Sequence, residues 1–161
     1  MSKENAFDSL DKTDRLLLRF LQEDGSLSGA ALGERLSMTV TPCWRRRKRL
    51  EELGIIKDYQ ANLDRRKLGF DVMAFAQVRF GDHSGNSPDD FERIVQALPE
   101  VLSCHKVTGE ADYVLTVLAT DLESYGRFIE DVLRKQPGIA SIQSSLALRE
   151  IKSVTRIPVR E

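Results

Sequence analysis

Residues 41–50 have the sequence TPCWRRRKRL, in which a threonine and a proline precede a run of five cations. Thr41 can cap a helix, and Pro42 suits the first helical position because its missing N–H would find no partner there. The helical pattern continues to Leu53, and Gly54 can supply the left-handed residue that ends a helix. The segment therefore predicts a basic helix that Thr41 caps and that ends at Leu53.

Two shorter helical patterns precede this basic helix. In the first, Asp11 can cap the opening turn, Asp14 favours the helix N-terminus electrostatically, and Gly25 follows the end of the helix. A second helix is expected from Ser28, a good capping residue, to Leu36. The chain thus predicts three helices in close succession before residue 54.

A short helix, a tight turn and a basic helix together have the geometry of a helix-turn-helix, whose second helix enters the major groove of DNA. Residues 55–62 predict a small β-wing after it, so that residues 1–64 would form a winged helix-turn-helix domain. Trp44 is expected on the exposed side of the basic helix, in contact with bases or sugars. The residues predicted to contact DNA are Thr39, Thr41, Trp44, Arg45, Arg46, Lys48, Arg49 and Lys57.

The distribution of charge supports this interpretation better than the net charge of −1 does. Residues 1–64 contain eleven Lys or Arg and eleven Asp or Glu, and five of those cations form the run 45–49. Residues 65–161 contain thirteen cations and fourteen acids, evenly spread. Positive charge is concentrated at one place, as a phosphate-binding helix requires. The alternative is that the run is only a solvated helix face.

The periodicity changes after the polar segment 64–69, which ends in glycine and predicts a hinge. Strand-like runs and amphipathic helices then follow in the order β-α-β-β-α-β. We expect them at residues 70–80, 88–98, 101–108, 113–120, 122–136 and 139–151, with a turn-rich loop over 81–86. The order predicts an α+β fold, in which residues 65–161 form a ferredoxin-like domain with two helices on one face of an antiparallel sheet.

The other face of that sheet would have no helical cover. Met73, Phe75 and Val78 cannot all face the helices. An apolar sheet face of this size predicts a partner, most simply a second copy of the chain. We therefore expect a homodimer formed through the second domain.

Several function classes find no support in the residues. The chain has no G-x-G-x-x-G, P-loop, H-E-x-x-H or G-x-S-x-G motif, so we expect neither an enzyme nor catalytic residues. Cys43 and Cys104 lack the spacing of metal ligands, so we expect no metal and no cofactor. No apolar stretch approaches the ~18 residues of a membrane span and no secretion signal is visible, so a cytoplasmic protein without membrane contact is expected.

Cys43 falls on the inward face of the predicted basic helix. A cysteine there usually behaves as a small hydrophobic residue. A redox sensor is the alternative, because nearby cations would lower the pKa of an exposed thiol.

The ordered set of motifs resembles the Lrp/AsnC family of transcriptional regulators over nearly the whole chain. The motifs are Leu10-Asp11-x-x-Asp14, Asp24-Gly25-x-Leu27-Ser28, Thr41-Pro42-Cys43-Trp44-Arg45-Arg46, Arg49-Leu50-Glu51-x-x-Gly54-Ile55-Ile56, Leu68-Gly69 and Gly109-Glu110-x-Asp112-Tyr113. No single motif is specific, whereas the set in this order is.

The resemblance implies a sequence-specific regulator of transcription that binds double-stranded DNA as a dimer, often within tetramers or octamers. It also implies that a small effector, generally an amino acid, modulates DNA binding or assembly. By similarity, the residues that would contact the effector are Gly109, Glu110, Ala111 and Asp112, with Ser144 and Ser145 on the opposite side of the pocket. The alternative for the two serines is a solvated strand face. The alternative function is a chromatin-organising DNA binder with little effector response.

Arg47 departs from the resemblance, because the family normally has an aliphatic residue at this position. A buried guanidinium without a partner is costly. We therefore expect Arg47 to reach solvent, to pair with an acid such as Glu34, or to add a phosphate contact.

Overall fold

The structure is a computed structural model that describes residues 6–81, 87–154 and 156–160. Residues 82–86 of the predicted turn-rich loop lie outside the described residues. The chain divides into two compact units. The first takes the N-terminal residues as far as Asn62 and includes the segment from Ser153 onwards, and the second runs from Leu63 to Lys152. The predicted boundary after residue 64 lies close to the observed one.

Three α-helices build the first unit. They are α1 (Lys12–Glu23), α2 (Gly29–Arg35) and α3 (Val40–Glu52), preceded by a short 3-10 helix over Ala6–Ser9. Both predicted caps of the first two helices are confirmed: Asp11 accepts a hydrogen bond from the Asp14 amide at 2.8 Å, and Ser28 Oγ accepts one from the Ala31 amide at 3.2 Å. These local contacts fix where α1 and α2 begin.

The turn between α2 and α3 corrects the predicted start of the basic helix. Thr39, rather than Thr41, is the N-cap, so Pro42 is the third residue of α3. Proline is tolerated there because none of the first four N–H groups of a helix has a partner within it. The turn needs Gly33, since a Cβ at this position would lie 2.7 Å from the carbonyl oxygen of Met38.

The C-terminal end of α3 agrees with the prediction, with Gly54 in the left-handed region at φ 67°. The β-strands predicted for a wing over residues 55–62 are not observed, because this segment contains no strand. The amides of Ile55 and Ile56 instead both donate to the Leu50 carbonyl, at 3.0 and 3.2 Å. They therefore close the end of α3 rather than joining a strand ladder.

A buried carboxylate joins the start of α1 to α3. The Asp14 side chain is fully buried. Its Oδ1 accepts from Arg46 Nη1 at 2.8 Å, and its Oδ2 accepts from Arg49 Nη2. Arg46 Nη1 also lies 2.5 Å from Asp11 Oδ2. The capping box of α1 thus also holds α3 in place.

The C-terminal segment packs on α1. The side-chain amide of Gln22 exchanges two hydrogen bonds with the backbone of Ile157, at 2.6 and 3.0 Å. Arg19 Nη2 donates to the Val159 carbonyl at 3.1 Å, and Val159 packs against the apolar core of the helices. Residues 65–161 were predicted to form one domain. In the structure the second unit ends at Lys152, because these contacts join the C-terminal segment to the first unit.

The second unit consists of a sheet and the helices that cover it. Its elements are β1 (Val72–Phe80), α4 (Ser87–Gln96), β2 (Val101–Lys106), β3 (Tyr113–Ala119), α5 (Leu122–Phe128), which continues as a π-helical turn over Ile129–Leu133, and β4 (Ile139–Leu146). The strands are antiparallel and ordered β2-β3-β1-β4. This is the ferredoxin-like arrangement expected from the order of the elements.

Strand alternation separates the two faces of the sheet. Val78 is fully buried beneath the helices, together with Phe80, whose ring centroid lies 5.5 Å from that of Phe91. Met73 and Phe75 lie on the opposite face, where Phe75 is 39% exposed. The expectation that the three β1 residues could not share one face is confirmed. Within the described chain, no helix has both the length and the apolar character needed to cross a bilayer.

The Asp14 contact predicts a large stability effect. Asp14→Asn should lower the free energy of unfolding by about 2 to 3 kcal/mol, because the buried side chain loses the charge that strengthens its hydrogen bonds to the two guanidinium groups. Chemical denaturation would measure the change, with the exposed residue Glu23→Gln on the same helix as the control. Equal stability of the two variants would contradict the anchoring role of Asp14.

Candidate nucleic-acid interface and ligand site

The outward face of α3 carries a polar and cationic strip. Thr41, Trp44, Arg45 and Lys48 are exposed and follow one another at helical spacing, so they share one side of the helix. The prediction that Trp44 is exposed is confirmed, at 54%. Lys48 Nζ lies 5.1 Å from the Trp44 ring centroid. We call these four residues the outer strip.

Two further residues predicted to contact DNA lie outside α3, one before the helix and one after it in the sequence. Thr39 is exposed at the N-cap of α3, and its side chain makes no capping hydrogen bond. Lys57 is exposed in the segment after α3. Among the residues that the structure describes, Lys57 forms no ion pair.

Arg46 and Arg49 differ from the outer strip because acids of α1 hold their guanidinium groups. The carboxylates of Asp14 and Asp11 raise the pKa of Arg46 above its usual value. The pKa of Asp11 is lowered, mainly by the hydrogen bond from the Asp14 amide and less by Arg46. Two of the five consecutive cations are therefore used to join helices.

Arg47 is paired, but with a different acid from the one expected. Its Nε lies 3.1 Å from Glu51 Oε1, one helical turn further along α3. Its guanidinium carbon lies 4.4 Å from the ring centroid of Tyr59. The expected pair with Glu34 is wrong, because the i,i+4 geometry of the helix brings Glu51 within reach instead.

Cys43 lies in the core of the first unit and is 1% exposed. Burial raises the pKa of its thiol, and the charge of Arg47 lowers it by a smaller amount. A buried, protonated thiol is a poor nucleophile, which favours the packing role over the redox sensor. Among the described residues, no group of three or more His, Cys, Asp or Glu side chains could hold a metal ion.

The loop between β2 and β3 contains four of the predicted effector residues. Gly109 has φ 119°, a conformation that favours glycine, and Gly109 and Glu110 are exposed, whereas Ala111 is partly buried. Asp112 Oδ2 accepts a hydrogen bond from the Phe80 amide at 2.7 Å. The carboxylate of Asp112 therefore joins the loop to the end of β1, a structural role that the sequence analysis missed.

Ser144 and Ser145 lie on opposite faces of the sheet. Ser144 pairs with Ala76 on the helix-covered side, where its Oγ lies 2.6 Å from Tyr125 Oη. Burial raises the pKa of Tyr125, and the bond with Ser144 opposes that change. Ser145 pairs with Phe75 on the uncovered side. A pocket confined to one face of the sheet would include only one of the two serines, and their contact with an effector stays a prediction.

Comparisons with known families match both units. The Lrp/AsnC ligand binding domain model matches residues 73–157, and a winged helix-turn-helix DNA-binding model matches residues 10–57. The chain therefore has the winged helix-turn-helix class of domain, although residues 55–62 contain no strand. The predicted order of a DNA-binding unit followed by a ligand-binding unit is confirmed.

Individual relatives are similar over nearly their whole length. The DNA-binding transcriptional activator DecR of Escherichia coli is 39% identical over 93% of this chain and 99% of its own. A transcriptional regulator from Neisseria meningitidis, solved in complex with L-Met, superposes with a TM-score of 0.90 at 39% identity, over 93% of this chain and 97% of its own. An AsnC family regulator from Agrobacterium tumefaciens gives a TM-score of 0.88 at 35% identity, over 93% and 97% of the two chains. The chain belongs to the Lrp/AsnC family of DNA-binding transcriptional regulators, which combine a helix-turn-helix with a ligand-binding domain.

Proposed function

We propose that the outer strip of α3 enters the major groove and forms the DNA-reading surface of this regulator. The observation that carries the proposal is the exposure of Thr41, Trp44, Arg45 and Lys48 on one side of the helix. Arg45 and Lys48 neutralise phosphates, while Thr41 and Trp44 meet base edges or sugars. Thr39 and Lys57, exposed before and after the strip, add contacts to the backbone of the duplex.

Arg46 and Arg49 support DNA binding through position rather than through contact. Both guanidinium groups are held by Asp14, so moving either onto a phosphate would take from a buried carboxylate one of its two partners. They keep α3 at a fixed distance from α1. We propose this positioning role for Arg46 and Arg49 in place of the direct DNA contacts predicted from the sequence.

The second unit is proposed to bind an amino acid. Its match to the family's ligand-binding domain supports this proposal, as does the L-Met present in the N. meningitidis relative. The exposed backbone around Gly109 and Glu110 can hold the ammonium or carboxylate of an amino acid, and Asp112 shapes the loop through its bond to Phe80. A ligand that favours one assembly over another changes DNA affinity by linkage.

The uncovered face of the sheet is proposed to pair with a second copy of the chain. Phe75 is exposed there, beside the partly buried Met73. A symmetric dimer would bury these apolar side chains and present two α3 helices to one duplex. Protection of palindromic sites supports a sequence-specific dimer, whereas diffuse protection would favour a chromatin-organising protein.

Lys48 gives a direct test of the outer strip. Lys48→Met should weaken binding to a duplex that the unmodified protein selects from a random-sequence pool. The slope of log affinity against log salt should become shallower by about 0.9, as expected for one lost phosphate contact. Lys135→Met, which removes an exposed lysine of the second unit, is the matched control and should leave the slope unchanged. An unchanged slope for Lys48→Met would remove this residue from the interface.

A thermal-shift screen of the proteinogenic amino acids tests the ligand. At least one amino acid should raise the Tm at millimolar concentration, because a ligand that binds only the native state stabilises it. Asp112→Ala, which removes the bond that holds the loop to the Phe80 amide, should reduce that shift, whereas Glu123→Ala, at the start of α5, should not. Ser144→Ala and Ser145→Ala would then show which sheet face the ligand occupies. No shift with any amino acid would contradict the effector proposal and leave the DNA-binding proposal standing.

A further inference from the structure

Three side chains form a compact cluster on the flank of α3. Glu51 Oε1 accepts from Arg47 Nε at 3.1 Å and from Tyr59 Oη at 2.8 Å, so one carboxylate oxygen serves both donors. The Arg47 guanidinium also lies over the Tyr59 ring, 4.4 Å from its centroid. We call this group the Arg47–Glu51–Tyr59 cluster.

Tyr59 lies between three parts of the first unit. Through Arg47 and Glu51 it contacts α3, and a Cβ placed on Gly25 would lie 3.5 Å from its Cδ1, so its ring also packs on the turn between α1 and α2. It belongs to the segment after α3, and the chain leaves the first unit soon afterwards at Asn62. Tyr59 therefore ties the segment that leads out of this unit to the helix proposed to read DNA.

The charge of Arg47 is already neutralised within the cluster. The Arg47 side chain is 28% exposed, its Nε faces Glu51, and one face of its guanidinium is covered by an aromatic ring. The hydrogen bond from Tyr59, followed by the contact with Arg47, lowers the pKa of Glu51, so the carboxylate is ionised at neutral pH. Lys48, the next residue, is more than half exposed and lies 3.8 Å from the exposed Glu52. Such an exposed pair is weak, so Lys48 remains available to a phosphate while Arg47 does not.

We propose that the Arg47–Glu51–Tyr59 cluster positions α3 for DNA reading, and that Arg47 itself contacts no phosphate. The inference rests on the proposed function of the outer strip. Arg47, Glu51 and Tyr59 act as positioning residues, which hold α3 against the α1–α2 turn and against the segment that follows α3. The cluster acts on the opposite flank of α3 from the Asp14 contact, which Arg46 and Arg49 make.

Substitutions of Glu51 distinguish a positioning role of this residue from a purely electrostatic effect of its charge on DNA binding. An acid on a DNA-binding helix repels phosphates, so its removal alone should strengthen binding. If Glu51 holds the cluster together, its removal weakens binding despite the loss of negative charge. Glu51→Ala and Glu51→Gln remove the same charge, but only glutamine keeps an oxygen that can accept from Tyr59 and Arg47.

The experiment measures affinity for the selected duplex at several salt concentrations, under conditions in which circular dichroism shows every variant to be folded. Glu51→Ala should bind about five-fold more weakly than Glu51→Gln, the size expected for lost hydrogen bonds of ordinary strength. Tyr59→Phe, which removes only the hydroxyl, should show a loss of similar size. Arg47→Met should weaken binding without changing the salt slope, in contrast to Lys48→Met.

Each alternative has its own outcome. Equal affinities for Glu51→Ala and Glu51→Gln would overturn the proposal, and so would a shift in unfolding midpoint without a change in affinity. A slope made shallower by Arg47→Met, with Tyr59→Phe unaffected, would make Arg47 a phosphate contact instead. If Lys48→Met weakens binding while Glu51→Ala, Tyr59→Phe and Arg47→Met all bind as the unmodified protein does, the DNA-reading strip is supported and the cluster is not. Failure of the unmodified protein to bind any duplex would instead contradict the proposed function.

Discussion

The contact between Asp14 and two arginines of α3 is the interaction on which the proposed DNA-binding surface depends. Asp14 is fully buried, and it accepts from Arg46 and Arg49 while its own amide completes the cap of α1. A buried carboxylate of this kind tolerates no loss of its partners. The rotation of α3 about its axis is therefore fixed, and this rotation leaves Arg45 and Lys48 on the outward side. One run of cations thus performs two tasks, which are joining helices and presenting charge.

In the second unit, strand alternation is the equivalent constraint. Residues that alternate along β1 are either buried under the helices or placed on the uncovered face, so a single strand contributes to both the core and the proposed dimer contact. The same rule separates Ser144 from Ser145. The loop that holds the proposed ligand is in turn fixed by the bond between Asp112 and the Phe80 amide. The proposed ligand site and the core therefore share the end of β1.

Local signals were predictable from the sequence, and distant contacts were not. The caps by Asp11 and Ser28 involve partners three residues away, so capping rules find them. The Asp14 contacts with Arg46 and Arg49 span 32 and 35 residues, and nothing in the sequence connects those positions. Two findings had a usable signal in the sequence: the pair of Arg47 with Glu51, from its i,i+4 spacing, and the separation of Ser144 from Ser145, from strand alternation. The role of Tyr59 had no signal in the sequence, because it arises only when the segment after α3 folds back against α3 and the α1–α2 turn.

The division of the cations into inward and outward groups can be measured residue by residue. Modification with an arginine-specific dicarbonyl reagent, followed by mass spectrometry, reports the reactivity of each guanidinium in the free protein and on the selected duplex. Arg45 should react rapidly in the free protein and be protected by DNA. Arg46, held by Asp14 and Asp11, should react slowly in both states. Rapid reaction of Arg46 in the free protein, with protection by the duplex equal to that of Arg45, would contradict the account.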